Sequence, residues 1–142
     1  MSGQTLKSAW DLTLTDERDD LDSSSGLRRR FEEYEDALVG NDLDKMNSFF
    51  WASPETVRFG IADFEFGYDE IVRWRAEHWS IPPGRKLMET RILMVSESVG
   101  VITTLFEYPE RALLGMQSQV WRRFDSQVWL VVSAHVSEIA TS

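Results

Sequence analysis

The spacing of apolar residues changes midway along the chain, from the period of a helix to that of a strand. Leu27, Phe31, Tyr34 and Leu38 stand at i, i+4, i+7 and i+11, one stripe of an α-helix, and predict a helix over 27–39. Ser24 or Ser25 can cap its start, because a hydroxyl there accepts from a free backbone N–H. "GN" at 40–41 can end it, since both residue types tolerate positive φ. Leu43, Met46 and Phe50 share the inner face of a second short helix at 43–50, stopped by "SPE" at 53–55. "TVRFG" at 56–60 reads as a short strand, with Val57 and Phe59 on one face and Thr56 and Arg58 on the other. A third helix over 69–79 carries Ile71, Arg75 and His78 on one stripe and is broken by "PPG" at 82–84.

Beyond residue 85 the pattern is that of strands. The segments 85–96, 100–108, 113–124 and 128–139 are rich in Val, Ile, Leu, Thr and aromatics, with short turns between them. Helices first and antiparallel strands afterwards make an α+β chain, not an alternating βαβ one. A curved four-stranded sheet wrapped over three helices would leave a cavity between the layers. The string "SQVW" occurs twice, at 118–121 and 126–129. The first copy lies in mid-strand and the second straddles a turn, so the duplication is a coincidence within one hairpin.

Composition narrows the chemistry. The chain has 142 residues, the size of one domain with one core. It has no cysteine, which excludes disulfides, thiolate ligands and thiol catalysis. A net charge of −9 would repel a nucleic-acid backbone. No apolar run approaches the roughly 20 residues of a membrane helix, and no basic-then-apolar leader is visible, so a cytoplasmic location is expected. Asp11, Asp16, Glu17, Asp19, Asp20 and Asp22 face only Lys7 and Arg18 in the first 22 residues. Residues 1–26 therefore read as an acidic, flexible tail joined at "SSSG" to a single domain over 27–142. Leu6, Trp10, Leu12 and Leu14 give the tail a second reading, as a segment that docks. Arg28, Arg29 and Arg30 fall in the first turn of the expected helix, where its dipole disfavours cations. That conflict asks for a partner, the acidic tail or a second subunit, against plain surface arginines.

"DALVGNDLDKMNSFFW", "TVRFG", "GYDEIVRWR", "GMQSQVWRR" and "AHVS" occur in that order over about 30–139. Together they resemble the AtzH-like and HpxZ-like small proteins of the nuclear-transport-factor-two-like (SnoaL-like) superfamily. The resemblance implies a cone-shaped, cystatin-like roll that dimerises through its sheet. It also implies a non-catalytic accessory role beside a large amidase-signature amidohydrolase of nitrogen-compound catabolism. The chain departs from the family pattern at Met116 and His78, where arginines are usual. An acid usual after "RFG" has Asp63 or Glu65 as its counterpart.

Within that frame Arg58, Arg75, Gln119 and His135 are expected to converge in the cone on a small carboxylate, with Trp121 as the floor. Guanidinium groups bond carboxylates in pairs, and a buried arginine needs an acid or a ligand. The competing expectation is that Arg58 and Arg75 pair internally with Asp63, Glu65 or Glu89. Strand alternation puts Gln117, Gln119, Trp121 and Arg123 on one face, and Val131, Ser133, His135 and Ser137 on one face of the next strand. An imidazole titrates near neutrality, so in an enzyme of this fold His135, with Asp63 or Glu65, would move protons. His78 reads as a helix-surface or dimer-rim residue. The two histidines have no adjacent carboxylate set, so neither a metal site nor a cofactor is expected. Trp51, Trp74, Trp121 and Trp129 read as core, and Trp10 and Trp79 as interface anchors.

Overall fold

In a computed structural model, which describes the backbone of residues 17–141 and the side chains of 24–141, the first helix is longer than its apolar stripe. Helix α1 runs Glu17–Val39, so Ser24, Ser25 and Gly26 lie inside it rather than capping or joining it. The rest of the acidic segment, Leu6 and Trp10 included, lies outside the described residues. The earlier start also removes the dipole conflict, because Arg28–Arg30 now sit in mid-helix. Arg28 and Arg29 are exposed, whereas Arg30 has an internal partner set. Its Nε donates to the Trp129 carbonyl at 3.0 Å, its Nη2 to the Ser48 carbonyl at 3.3 Å, and its guanidinium lies 4.1 Å from the Phe49 ring centre.

Asn41, at φ 54°, makes the left-handed turn after α1. Asp42 then caps α2 (Leu43–Ser48) by accepting from the Lys45 N–H. Strand β1 (Val57–Phe59) and a short strand that the pattern did not predict, β2 (Phe64–Phe66), form a hairpin before α3 (Tyr68–His78). Strands β3 (Lys86–Ser96), β4 (Val99–Glu107), β5 (Leu113–Arg123) and β6 (Trp129–Ala140) follow. The sheet therefore has six strands rather than four, in the order β2-β1-β6-β5-β4-β3. Among these paired strands, β1 against β6 is parallel and the others are antiparallel.

The helices cover one face of this curved sheet. Leu27, Phe31, Tyr34 and Leu38 of α1 are buried against Met46, Phe49, Phe50, Ile71, Ile102, Trp121 and Val131. Tyr34 lies edge-on to Phe49 at 5.6 Å and to Trp121 at 6.2 Å. Registry carries one inner row across all six strands: Ile92, Ile102, Gln119, Ala134, Arg58 and Glu65 are successive cross-strand partners. The neighbouring outer row is Arg91, Thr103, Ser118, His135, Phe59 and Phe64.

His135 thus faces away from the helices, which corrects the expectation that it points into the cone. The reason is a bulge. Val120 pairs with Ser133 but Trp121 pairs with Val131, so Val132 is an extra residue in β6. One inserted residue reverses the parity of everything after it. Val131 faces inward before the bulge, and Ala134 and Val136 after it.

Candidate functional site

The space between α1, α3 and the inner face of the sheet is a cavity of about 280 Å³. Its walls are aromatic, from Tyr34, Phe50, Trp74, Trp79, Phe106 and Tyr108, and its polar lining includes Arg58, Asp63, Arg85, Arg111, Gln117 and Gln119. Such a mixture of apolar walls and few fixed polar groups is the usual make-up of a small-molecule site.

Arg58 enters from β1, on the inner row beside Glu65 of β2. Its Nη1 donates to Asp63 Oδ2 at 2.7 Å and to Glu65 Oε1 at 2.8 Å. The expected internal pairing is thus present, and Arg58 also lines the cavity. Its two carboxylate bonds use only Nη1, which leaves Nε and Nη2 for the cavity. Its guanidinium lies 4.7 Å from the Trp74 ring centre. Glu89 pairs instead with Arg91, in an exposed pair. Burial, with the neighbouring Asp63 carboxyl, raises the Glu65 pKa to about 7, against the opposing pull of Arg58. Two acids sharing one guanidinium nitrogen cannot both ionise freely.

Gln119 is 1% exposed and lines the cavity. Its Oε1 accepts from Trp121 Nε1 at 3.0 Å, so its amide nitrogen, with two donor hydrogens, is the end left for a ligand. Trp121 is 0% exposed and belongs to the core. It positions Gln119 from behind and is not the floor of the cavity. On the other side, Arg85 makes a two-point bond to Glu35, Nε to Oε1 at 2.9 Å and Nη2 to Oε2 at 3.2 Å, and stands 3.9 Å from the Phe106 ring centre. Burial works to lower the Arg85 pKa, but the bonds to Glu35 outweigh it and hold it above the ordinary value. Gln117 Nε2 donates to Glu35 Oε2 at 3.4 Å.

Arg75 is buried, as its stripe predicted, but sits behind Phe50 and Trp79 rather than in the lining. Its Nη1 donates to Asn47 Oδ1 at 2.7 Å, an amide rather than an acid. His78 is exposed on α3 and stacks on Trp74 at 5.3 Å. Trp79 lines the cavity, where the sequence suggested an interface anchor. The Glu35–Arg85 pair was missed, although Glu35 stands one turn after Phe31 on the buried face of α1. Nothing in the spacing links it to a residue 50 positions away. Among the described residues no cluster of His, Cys, Asp and Glu is arranged to hold a metal ion.

The chain is similar to two crystal structures over most of their length. One is a cystatin-like fold protein from Burkholderia xenovorans LB400, with 39% identity, TM-score 0.81 and coverage of 85% of this chain and 95% of that one. The other is a protein with unknown function from Pectobacterium atrosepticum SCRI1043, with 31% identity, TM-score 0.79 and coverage of 84% and 92%. An NTF-2-like protein of unknown function from Shewanella oneidensis MR-1 shares the fold at 17% identity, with TM-score 0.67 and coverage of 80% and 98%. No match was found among curated proteins. The AtzH-like family model matches residues 18–142, and with the six-stranded α+β fold described above the chain belongs to the AtzH-like family.

Proposed function

We propose that this protein is a non-catalytic, small-ligand-binding accessory protein whose cavity takes a small carboxylate. In this reading it is cytoplasmic, dimerises through the outer face of its sheet and supports an amidohydrolase of nitrogen-compound catabolism. The observation that carries the ligand is the charge arrangement around the cavity. Arg58, Arg75, Arg85 and Arg111 are set against Glu35, Asp63, Glu65 and Glu138. Glu65, its pKa raised to about 7, is mostly protonated below neutral pH, and Arg75 is bonded to an amide. Below that pH one guanidinium charge is therefore left over for an anion, within largely aromatic walls. The outer face supports the dimer: Phe59, Phe64, Phe66, Leu93 and Val95 are large apolar side chains, all more than a third exposed, and such patches mark interaction surfaces. The accessory role draws its support from the family.

Thermal melting in sodium acetate or sodium malonate, against sodium chloride at equal ionic strength, tests the ligand reading. The carboxylates should raise the midpoint through preferential binding to the folded chain. Ala134→Leu, which fills the cavity between Gln119 and Arg58, should abolish the increment. Equal midpoints in all three salts would refute the reading. Co-purification from the native host tests the amidohydrolase.

A second reading is an enzyme that moves protons with the Asp63–Glu65 pair, favoured by the raised Glu65 pKa. His135 has no part in it, since it lies on the opposite face. Deuterium incorporation from D₂O into a small keto acid, lost in Glu65→Gln, would establish this activity over the accessory role.

A further inference from the structure

Arg75 is 1% exposed and spends one nitrogen, Nη1, on Asn47. Its Nε and Nη2 are both buried and make no well-formed hydrogen bond, although the Tyr34 hydroxyl stands beside the guanidinium as a further acceptor. These two atoms form one edge of the guanidinium, and their parallel N–H bonds match the two oxygens of a carboxylate. The Trp79 Nε1 is likewise buried and unpartnered. Its ring centre lies 5.6 Å from the Arg75 Cζ and 5.6 Å from the Arg58 Cζ, so Trp79 neighbours both guanidinium groups.

Buried charged donors left unpaired are among the most unfavourable groups a fold can keep. Two such nitrogens on one guanidinium, with a neutral indole N–H on a neighbouring ring, mark a place prepared for an acceptor. Phe50, whose ring centre is 4.4 Å from the Arg75 Cζ, and Trp79 both line the cavity, so the Arg75 guanidinium lies behind the cavity wall. Trp79 is the residue that ends α3, with extended backbone at φ −78° and ψ 124°. It therefore stands where helix gives way to loop, with its ring edge-on to Trp74 at 5.7 Å.

We infer that the Nε–Nη2 edge of Arg75, together with Trp79 Nε1, is the element that grips the ligand's carboxylate, reached from the cavity past the Trp79 ring. This assignment rests on the ligand-binding reading above and specifies its anchor. A carboxylate there receives a two-point bond from Arg75 and a third bond from the indole, while the rest of a small ligand lies against Trp74 and Phe106 in the cavity. A chloride ion, a single acceptor, meets the two parallel N–H bonds only at bent angles, whereas a carboxylate offers one oxygen to each, so carboxylates are selected over halides.

Calorimetric titration of the full chain with sodium acetate tests the assignment. Arg75→Lys keeps the charge but removes the edge and should weaken binding by about tenfold or more, the worth of one lost charge-assisted bond. Trp79→Phe keeps the ring but removes the indole donor and should weaken it by about threefold to tenfold. Arg122→Ala, on the opposite face of the sheet, should change it less than about twofold. In the wild-type chain the Nε–H resonance of Arg75, identified by its disappearance in Arg75→Lys, should shift downfield as acetate is added. An Nε–H resonance unmoved at saturating acetate, or wild-type affinity in Trp79→Phe and Arg75→Lys, overturns the assignment. If Ala134→Leu still abolishes binding in that event, the ligand-binding reading stands without its anchor. No acetate binding by the wild-type chain overturns both.

Discussion

At the scale of single residues, the inner row of the sheet concentrates the unusual chemistry. Arg58 and Glu65 are direct cross-strand partners, and Asp63 reaches the same nitrogen from the connecting turn. Burial and that second acid raise the Glu65 pKa from 4.5 to about 7. Between those values the folded chain keeps a proton that the unfolded chain releases. The folded state binds more protons there, so stability falls as pH rises through the window, by at most about 3 kcal/mol. Glu65→Gln, a neutral group of the same shape, removes the dependence. Its melting midpoint relative to wild type should therefore be higher at pH 8 than at pH 5, and an advantage larger at pH 5 would contradict the assignment. Sequence reasoning could name Asp63 and Glu65 as acids for Arg58, because a buried guanidinium needs one. It could not show that both share one nitrogen, because that depends on β2, a strand of three residues too short to announce itself by alternation.

At the scale of elements, two features decide what faces what. Helix α1 binds the end of the sheet through Arg30, whose guanidinium joins carbonyls of Ser48 and Trp129 across the Phe49 ring. Arg30→Ala should lower stability by about 1–2 kcal/mol, because it strands a backbone acceptor and loses packing. Arg28→Ala and Arg29→Ala, at exposed sites, should stay within about 0.5 kcal/mol of wild type. Denaturant midpoints of the three variants compare them directly, and equal losses would show that Arg30 is not special. The apolar stripe of α1 was legible, but its start was not: residues 17–26 are polar or small apart from Leu21, and such sequence can extend a helix without any periodic signal. The second feature is the bulge at Val132. Alternation gave the right faces for Gln117, Gln119 and Trp121 in β5 and the wrong one for His135 in β6. A period-2 count fails after one inserted residue, and a bulge is an agreement between two strands that neither sequence displays alone.

At the scale of the whole molecule, the sheet has two unlike faces. The inner one is covered by helices and holds the cavity. The outer one carries the cross-strand row Leu93, Val101, Val120 and Ser133, and further along the Phe59–His135 and Phe59–Phe66 ring pairs at 5.6 and 5.9 Å. If this face joins two copies, Leu93→Glu with Val120→Glu places charges in the centre of the interface, where they are poorly tolerated. The double variant should sediment as a monomer under conditions where the wild-type chain sediments as a dimer. A wild-type monomer at high micromolar concentration would refute the proposed assembly. His135, which an inward-facing reading would make a proton carrier, becomes on this face a ring beside Phe59.

The sequence by itself determined the α+β class, the family, three helices and four long strands, and the burial of Arg58, Arg75 and Gln119. These follow from local periodicity and from the rule that apolar stripes seek cover, both of which act within a few residues of one another. Only the tertiary structure decided which buried groups meet. It set Glu35 against Arg85, put Trp79 beside Arg75 and Arg58, moved Trp121 behind Gln119 and turned His135 outward. Those outcomes depend on strand registry, one bulge and the packing of distant segments, and such couplings between residues far apart in the chain leave no trace in local pattern.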